Sequence, residues 1–438
     1  MIQTKNLIIG FGKAGKTLAG LFDKHGQSTI LVEQSDKMYG GTCINVGCIP
    51  SKKLIHEAKT DGFDEAMQNK DALISTLREA NFKKINDLSK VRVITAQASF
   101  VDDNTVTLST GETVRAERIF INTGATPIMP NVAGVDGERI YDSTGLLNLG
   151  DTQKTTPKRL VIVGAGFIAL EFAFMYHAFG SQVSIVERSE EFLANVDDDV
   201  REIVLDLLDE RGIELHLGQD VQDFRHQDIH TQVITDKLTL DADAVLIAIG
   251  RQPNTNSLNL QNTSVQLDER GYVVCDDKLK ATNNIWAMGD VAGSPQFTYI
   301  SLDDYRIVAD DLFGNGTRQR ADRNIFPTSV FITPPLSQIG MSEKQAQDSG
   351  KNYQVATLAA QNIVKAKMTG NTKGLLKAVV DKDTNEILGV TLFCDDSHEI
   401  INLFKLAMDN GVKADYFKGQ IFTHPTMSES LNDLFAQF

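Results

Sequence analysis

One pattern occurs twice in the chain and limits its fold more than any other feature. The first copy runs from an apolar segment at 6–9 through a glycine turn to an apolar segment at 29–33, and the second runs from 159–163 to 183–187. Each copy predicts a strand, a glycine turn, a helix and a second strand that ends in an acidic residue. A chain with two such βαβ units can bind two dinucleotides.

The first glycine turn has the form Gly10-x-Gly12-x-x-Gly15. Gly10 permits the tight turn, Gly12 lets the backbone approach a pyrophosphate, and Gly15 lets helix and strand pack closely. The N-terminus of the following helix would then face the phosphates. Glu33 lies at the right distance along the chain to bind a ribose hydroxyl, so the turn predicts a dinucleotide site.

The same turn also matches a different nucleotide motif. The segment 10–17 fits a P-loop, in which Lys16 and Thr17 would contact phosphate and magnesium. That interpretation gives no role to Gly12 or Glu33, and no apolar strand ends in an Asp suited to hold the magnesium. We therefore favour the dinucleotide interpretation and predict no bound metal.

The second glycine turn has the form Gly164-x-Gly166-x-x-Ala169, and the fingerprint tolerates alanine in the third place. Glu187 ends the next predicted strand. A carboxylate there accepts a hydrogen bond from a ribose 2′-hydroxyl and repels a 2′-phosphate, which favours NADH. Arg188 follows directly and could bind that phosphate instead, so NADPH stays open.

Two cysteines lie in a glycine-rich segment soon after the first unit. Cys43 and Cys48 are separated by four residues, and Pro50 suits the first turn of a helix. A thiol at a helix start with Lys52 nearby has its thiolate stabilised. The chain has only four cysteines, too few for a disulfide scaffold. A structural metal site would need a second Cys or His pair at short spacing, so a redox-active pair is predicted.

His424 and Glu429 form the last candidate site. A histidine with an acid five residues later could act as a proton shuttle that the carboxylate orients. A lone histidine is more often structural or merely exposed, and the residues by themselves leave both interpretations open.

The charge of the chain excludes some partners. The net charge is −15, and an acidic protein repels nucleic acid and anionic lipid. No apolar run is long enough to cross a bilayer. The first residues run straight into a predicted strand without a signal peptide. We therefore expect a cytoplasmic protein with neither nucleic acid nor membrane as a partner.

Taken together, these motifs resemble the flavoprotein disulfide reductases, the class I pyridine nucleotide-disulfide oxidoreductases that include glutathione reductase, dihydrolipoamide dehydrogenase and mercuric reductase. The resemblance covers essentially the whole chain. It implies an α/β protein with two Rossmann-like dinucleotide-binding domains, for FAD and NAD(P)H, and a C-terminal α+β dimerisation domain. The implied boundaries are FAD domain 1–145 and 253–322, NAD(P)H domain 146–252 and dimerisation domain 323–438.

The resemblance also implies residue roles. Cys43 would be the interchange thiol that meets the substrate, and Cys48 the thiol stacked against the flavin. Lys52 would lie near the reactive nitrogen of the flavin and pair with Glu171. In a homodimer, His424 and Glu429 would reach the disulfide of the partner subunit. The implied cofactor-binding residues are Gly10, Gly12, Gly15, Glu33, Gly41, Thr42, Lys52, Thr123, Gly124, Gly289 and Asp290 for FAD, and Gly164, Gly166, Glu187, Arg188 and Gly250 for NADH or NADPH.

A narrower resemblance concerns the substrate. Five segments look like the bacterial reactive-chlorine-resistance reductases, namely 11–17, 38–42, 141–145, 297–306 and 427–435. That subfamily is assigned reduction of hypothiocyanous acid and of copper(II), which implies reduction of a small oxidant in oxidative-stress defence. The alternatives are dihydrolipoamide dehydrogenase or another disulfide reductase and, in a different class, a copper-binding or redox-sensing protein.

Overall fold

The chain folds into two units, and each is assembled from separate stretches of sequence. The computed structural model describes all residues from 1 to 438. The first unit comprises residues 1–130, 141–155 and 249–323, and the second comprises 131–140, 156–248 and 324–438. A two-residue strand, β8 (Ile140–Tyr141), lies where the chain passes from one unit to the other.

A seven-stranded sheet forms the centre of the first unit, in the order β3-β2-β1-β6-β5-β4, with β17 paired to β6. Strands β1, β2, β3, β6 and β17 run parallel to one another, and β5 pairs antiparallel with both β4 and β6. Because both faces of its parallel part are covered, strands such as β2 are buried along their whole length. The strands of this sheet are β1 (Ile2–Ile9), β2 (Thr29–Glu33), β3 (Val91–Thr95), β4 (Ala98–Asp102), β5 (Thr105–Leu108), β6 (Thr113–Ile121) and β17 (Ile285–Ala287). Two further strands of the unit lie outside the sheet, β7 (Ala125–Pro127) and β16 (Arg251–Pro253).

Six helices belong to this unit: α1 (Lys13–Lys24), α2 (Thr42–Asn45), α3 (Cys48–Glu57), α4 (Phe63–Asn86), α5 (Ser143–Leu147) and α8 (Thr298–Phe313). Helix α1 places Leu18 and Phe22 in the core, where the Phe22 ring lies 5.3 Å from that of Phe120 on β6. The short strands β7 and β16 pair only with each other and form a ribbon that is separate from this sheet.

The second unit contains its own parallel sheet, with strands in the order β11-β10-β9-β15. An antiparallel sheet of β12, β13 and β14 accompanies it. The elements are β9 (Arg159–Val163), α6 (Phe167–Ala178), β10 (Gln182–Glu187), α7 (Asp198–Glu210), β11 (Glu214–Leu217), β12 (Val221–His226), β13 (Thr231–Thr235), β14 (Thr239–Ala242) and β15 (Ala244–Ile247).

The C-terminal part of the second unit is an antiparallel sheet in the order β18-β19-β22-β21-β20 with five helices. The apolar segments at 339–341, 375–380 and 387–393 predict three of these strands, whereas β20, an edge strand with a single fully buried residue, gives no such pattern. The elements are β18 (Thr328–Val330), β19 (Leu336–Gly340), α9 (Glu343–Asp348), β20 (Tyr353–Ala359), α10 (Val364–Thr369), β21 (Leu375–Asp381), β22 (Ile387–Phe393), α11 (Ser397–Asp409), α12 (Ala414–Lys418) and α13 (Ser430–Phe435).

A buried lysine connects the two parts of the second unit. Lys377 on β21 is 3% exposed, and its ammonium lies 3.2 Å from Asp197, 3.0 Å from Asp199 and 2.6 Å from Glu343. Burial by itself lowers the pKa of Lys377, but these carboxylates outweigh it and raise the pKa above its ordinary value. A buried ammonium persists only with such partners, so this cluster fixes α7 and α9 to the C-terminal sheet.

The predicted α/β class is confirmed, with parallel sheets behind both glycine turns and a C-terminal α+β region. The four domain boundaries stay predictions. None of the helices is both long enough and apolar enough to traverse a bilayer.

Candidate active site

The first glycine turn packs so closely that side chains are excluded from it. Gly10 has φ +104°, and a Cβ at Gly12 would overlap the side-chain oxygen of Asn122. A Cβ at Gly15 would come within 2.8 Å of the Gly10 carbonyl oxygen. Asn122 Oδ1 accepts a hydrogen bond from Gly15 N at 2.9 Å, and its Nδ2 donates to Met288 O at 2.6 Å. One amide side chain therefore joins the turn to the segment that follows β17.

The start of α1 fits a dinucleotide. Gly12 is its N-cap, and no side chain caps the first turn, so the backbone N–H groups there are oriented to bind a pyrophosphate. Glu33 at the end of β2 accepts a hydrogen bond from Phe11 N at 2.9 Å. Burial raises the pKa of Glu33, and its backbone donors oppose that effect. The predicted residues Gly10, Gly12, Gly15 and Glu33 thus form one continuous cradle.

The cysteine segment lies directly on this cradle. A Cβ at Gly41 would come within 2.8 Å of Gly12 Cα, and Gly41 has φ +81°. A Cβ at Gly124 would be 3.9 Å from the hydroxyl oxygen of Thr42. The structure therefore brings these predicted cofactor-binding positions together around the first turn.

The second glycine turn repeats the backbone arrangement of the first. Gly164 has φ +103°, and Glu187 Oε2 accepts a hydrogen bond from Ala165 N at 2.9 Å. The other carboxylate oxygen accepts from Ser189 N at 2.9 Å. Gly166 is the N-cap of α6, again without a side-chain cap, and a Cβ at this position would meet no neighbouring atom within 4 Å. This turn also fits a dinucleotide.

Cys43 lies in α2, and Cys48 is the first residue of α3. Their side chains hydrogen bond to each other, and this bond, more than burial, raises the pKa of Cys43 far above its ordinary value. The cause is the neighbouring thiol, because once one sulfur is ionised a second negative charge beside it is unfavourable. The reduced pair therefore holds at most one negative charge.

Helix α8 begins next to this pair. Thr298, its first residue, places its hydroxyl oxygen 3.7 Å from Cys48 Sγ. The positive end of a 16-residue helix stabilises a thiolate there. The resemblance covers the segment 297–306 without giving Thr298 a role, because the contact with Cys48 joins residues 250 positions apart.

Buried acids support the second half of the cradle. Asp304 on α8 accepts a hydrogen bond from Gly289 N at 2.6 Å, and also binds Arg323. Burial raises the pKa of Asp290, and the charge of Arg251 opposes the rise. The resemblance implies roles for Gly289 and Asp290, whereas Asp304 and Arg251, which act on them, carry no local sequence signal.

Three further predicted positions are also located. Thr123 donates its hydroxyl to Asn254 O at 2.8 Å. Gly250 directly precedes β16 with φ +124°, and Arg188 directly follows β10. The coenzyme role of Arg188 stays a prediction.

The predicted Lys52–Glu171 pair joins residues of different units. Lys52 lies on α3, with its ammonium 3.4 Å from the Ser51 hydroxyl. Glu171 lies on α6 and accepts a hydrogen bond from Phe331 N at 3.0 Å. The pairing of Lys52 with Glu171 stays a prediction.

His424 and Glu429 do contact each other. His424 Nδ1 lies 2.7 Å from Glu429 Oε2, and the histidine side chain is 69% exposed. The other carboxylate oxygen accepts from Thr426 N at 3.3 Å, which orients the acid. An exposed, carboxylate-oriented imidazole suits a proton shuttle, and its reach to a partner subunit's disulfide stays a prediction.

Two glycine cradles, each closed by an acid, together with a thiol pair built against one of them, define an enzyme that moves electrons between a pyridine nucleotide, a flavin and a disulfide. The family model for pyridine nucleotide-disulphide oxidoreductases matches residues 4–304, and the model for the dimerisation domain of the same family matches 326–435. The chain belongs to this family, whose members use FAD and NAD(P)H.

Individual members of the family are similar to this chain over almost its whole length. The chain is 47% identical to the "Probable pyridine nucleotide-disulfide oxidoreductase RclA" of Escherichia coli K12, with 100% of this chain and 99% of that protein covered. A mercuric reductase of Staphylococcus aureus is 30% identical, with 97% and 80% covered. A dihydrolipoyl dehydrogenase of Buchnera aphidicola is 30% identical, with 98% and 94% covered.

Solved structures agree with these relatives. The Cu(II) complex of the HOCl-induced flavoprotein disulfide reductase RclA from E. coli superposes with a TM-score of 0.97 at 46% identity, and 100% of both chains is covered. The class predicted from the sequence, a flavoprotein disulfide reductase with a C-terminal dimerisation domain, is thereby confirmed.

Proposed function

We propose that this enzyme uses NAD(P)H to reduce hypothiocyanous acid, a small oxidant, through the Cys43–Cys48 pair. The observation that carries the proposal is the thiol pair, hydrogen bonded and placed at the first cradle. The relative of known structure is described as HOCl-induced, which supports a role in oxidative-stress defence.

When bound, FAD supplies hydride acceptance from the nicotinamide and delivers two electrons to the disulfide. The chain's own residues perform the rest. The Cys43 thiolate attacks the sulfur of hypothiocyanous acid, so that a Cys43–S bond forms and the S–O bond breaks, and the departing hydroxide takes up a proton as water. Cys48 then attacks Cys43 Sγ, restores the disulfide and releases thiocyanate, whose low basicity makes it a good leaving group.

The arrangement of the pair supports both steps. The two thiols already hydrogen bond, so the second attack is intramolecular and needs little movement. Thr298 and the start of α8 stabilise a thiolate at Cys48. His424, oriented by Glu429, is a donor for the proton that the departing hydroxide requires.

The assembly and the compartment belong to the same proposal. A dimerisation domain matched at 326–435 supports a homodimer, in which His424 of one chain would serve the thiol pair of the other. Because NAD(P)H must keep the thiols reduced, we propose that the enzyme acts in the cytoplasm.

A panel of oxidants tests the substrate. Catalytic efficiencies are compared for hypothiocyanous acid, copper(II), dihydrolipoamide with NAD, and glutathione disulfide, with NADH and NADPH as coenzymes. Hypothiocyanous acid should lead by orders of magnitude, and the last two should lie near background. If dihydrolipoamide or glutathione disulfide led instead, the substrate proposal would fall while the enzyme class would stand.

Copper(II) is a second candidate substrate because the similar E. coli protein is described as a Cu(II) complex. A thiol pair can give electrons to a soft metal ion without a dedicated binding surface. We expect slow copper(II) reduction that depends on both cysteines, measured as copper(I) formed per NADH consumed.

A further inference from the structure

Lys16 has no role in the mechanism described so far, although it belongs to the segment that also resembles a P-loop. Its ammonium does not project into solvent. It donates to Gly40 O at 3.1 Å and to Asn81 Oδ1 at 2.7 Å. Gly40 lies three residues before Cys43, so Lys16 is held beneath the cysteine segment.

Helix α4 fixes this segment at two points. Asn81 binds the Lys16 ammonium at the beginning of the segment. One turn earlier, Arg78 Nε donates to Asn45 Oδ1 at 2.8 Å, at the end of α2. The Asn45 amide in turn donates to Gly41 O at 2.9 Å. The helix that carries Cys43 is thus held at both ends, and the position of the ammonium relative to Cys43 is set by the fold.

Lys16 and Cys43 also interact electrostatically. The pKa of Lys16 is lowered to about 8, chiefly by burial and also by repulsion from Lys13 and Lys84, and the charge of Cys43 opposes this lowering. Reciprocally, Lys16 lowers the pKa of Cys43. The charged groups that face Lys16 are therefore Lys13 on its own helix, Lys84 on α4 and Cys43 on α2.

We propose that Lys16 is a positioning residue that draws the single negative charge of the reduced cysteine pair toward Cys43. This inference rests on the proposed function, in which Cys43 is the attacking sulfur. Thr298 contacts both thiols: its hydroxyl oxygen lies 3.7 Å from Cys48 Sγ, and its hydrogen bond to Cys43 lowers the pKa of Cys43. The Lys16 ammonium adds a positive charge on the Cys43 side of the pair, held there by its bond to Gly40 O. The balance decides what fraction of the pair is ready to attack.

The test uses the FAD-loaded enzyme reduced anaerobically with one equivalent of NADH. Two signals are measured at pH 7: the rate at which iodoacetamide alkylates Cys43, located by peptide mapping, and the long-wavelength charge-transfer absorbance of the Cys48 thiolate. In Lys16→Met, alkylation of Cys43 should fall about tenfold, because one pKa unit changes the thiolate fraction by that factor, while the absorbance rises. Lys16→Arg should restore both.

Matched controls separate the charge from the structure. Lys84→Met removes an equal charge that faces Lys16 but is not among the charges acting on Cys43, so both signals should stay as in the native enzyme. Asn81→Leu removes the 2.7 Å contact and keeps the charge, so both signals should shift as in Lys16→Met but less. If Lys16→Met loses its FAD, Asn81→Leu decides the question.

The opposite directions of the two signals make the result decisive. A parallel fall of both would mean local damage, and two unchanged signals would mean that Lys16 only ties the segment to α4; either result overturns the inference. Neither measurement contains an oxidant substrate. A failure here therefore leaves the substrate proposal intact, and a different winner in the oxidant panel leaves this result intact.

Discussion

The two glycine turns share their backbone design and differ in the residue that follows the neighbouring strand. Gly10 N donates to Val32 O and Asn122 N to Ile9 O in the first unit, and Gly164 N donates to Val186 O and Ala248 N to Val163 O in the second. Asn122 and Ala248 therefore occupy matching positions, just after the strand that pairs with the first strand of each unit. The corresponding acids, Glu33 and Glu187, accept corresponding backbone hydrogen bonds.

What differs is how tightly the turn is closed. The Asn122 amide fills the space above Gly12 and bridges Gly15 to Met288, whereas Ala248 cannot bridge anything and the space beside Gly166 is open. A closed turn suits a cofactor that stays bound through many turnovers, and an open turn suits a coenzyme that must leave after each one. The two sites thus differ in how closely the glycine turn is packed.

The largest expected effect is the loss of oxidant reduction when Cys43 is replaced. Cys43→Ser should lower oxidant reduction by about 10³-fold or more, because the attacking sulfur is gone. Bleaching of the flavin by NADH, which does not need Cys43, should continue. Stopped-flow absorbance and oxidant consumption are measured on the same sample. Normal turnover of Cys43→Ser would refute the interchange role of Cys43. In Cys48→Ser, by contrast, the charge-transfer absorbance should disappear.

Adding one methyl group should break the first turn and spare the second. Gly12→Ala places a Cβ against Asn122, so we expect loss of FAD and destabilisation by about 1–3 kcal/mol. Gly166→Ala should keep FAD and the native melting temperature. Gly20→Ala, also on α1 and with nothing within 4 Å, is the control and should be neutral or slightly stabilising. Flavin absorbance and thermal unfolding measure all three, and equal effects at Gly12 and Gly166 would contradict the comparison.

Removing the bridging amide should loosen the first turn without blocking it. Asn122→Ala leaves Gly15 N and Met288 O without their partner, at a cost of about 1–3 kcal/mol for each buried group that stays unsatisfied. FAD should then dissociate faster on dilution. Asn254→Ala removes only the hydrogen bond from the Asn254 side chain to Thr123 O, so its loss of stability should be smaller. Urea unfolding and flavin release test this; an unchanged release rate would show that Asn122 does not govern retention.

The smallest effect concerns the open turn. Glu187→Ala removes the charge that repels a 2′-phosphate, and we expect the NADPH/NADH ratio of kcat/KM to rise about tenfold, which corresponds to about 1.4 kcal/mol. Arg188→Ala should leave the ratio unchanged or lower it. Steady-state kinetics with both coenzymes decide. A strong native preference for NADPH that Glu187→Ala does not alter would transfer control to Arg188.

Local patterns explain which features the sequence could predict. The glycines, Glu33, Glu187 and the two cysteines were recognisable because each motif depends on spacing within a few residues or one βαβ unit. The roles of Asn122, Thr298 and Lys16 were not, because they arise from contacts between segments far apart in sequence. Thr298, for example, meets Cys48 across 250 positions. β20 was missed for a related reason, since an edge strand buries too few side chains to show an alternating pattern.

The close approach of Gly41 to Gly12 has a consequence for how such enzymes can be altered. The chain between these residues contains α1 and β2 and returns to its own beginning, so a change of length between β2 and Gly41 would shift the cysteine segment relative to the turn on which it rests. The cysteine segment is therefore not a portable module that could be grafted onto another scaffold or moved along this one. A different electron acceptor would instead have to be accommodated by the residues around the thiols, with the path from β2 to Gly41 kept at constant length.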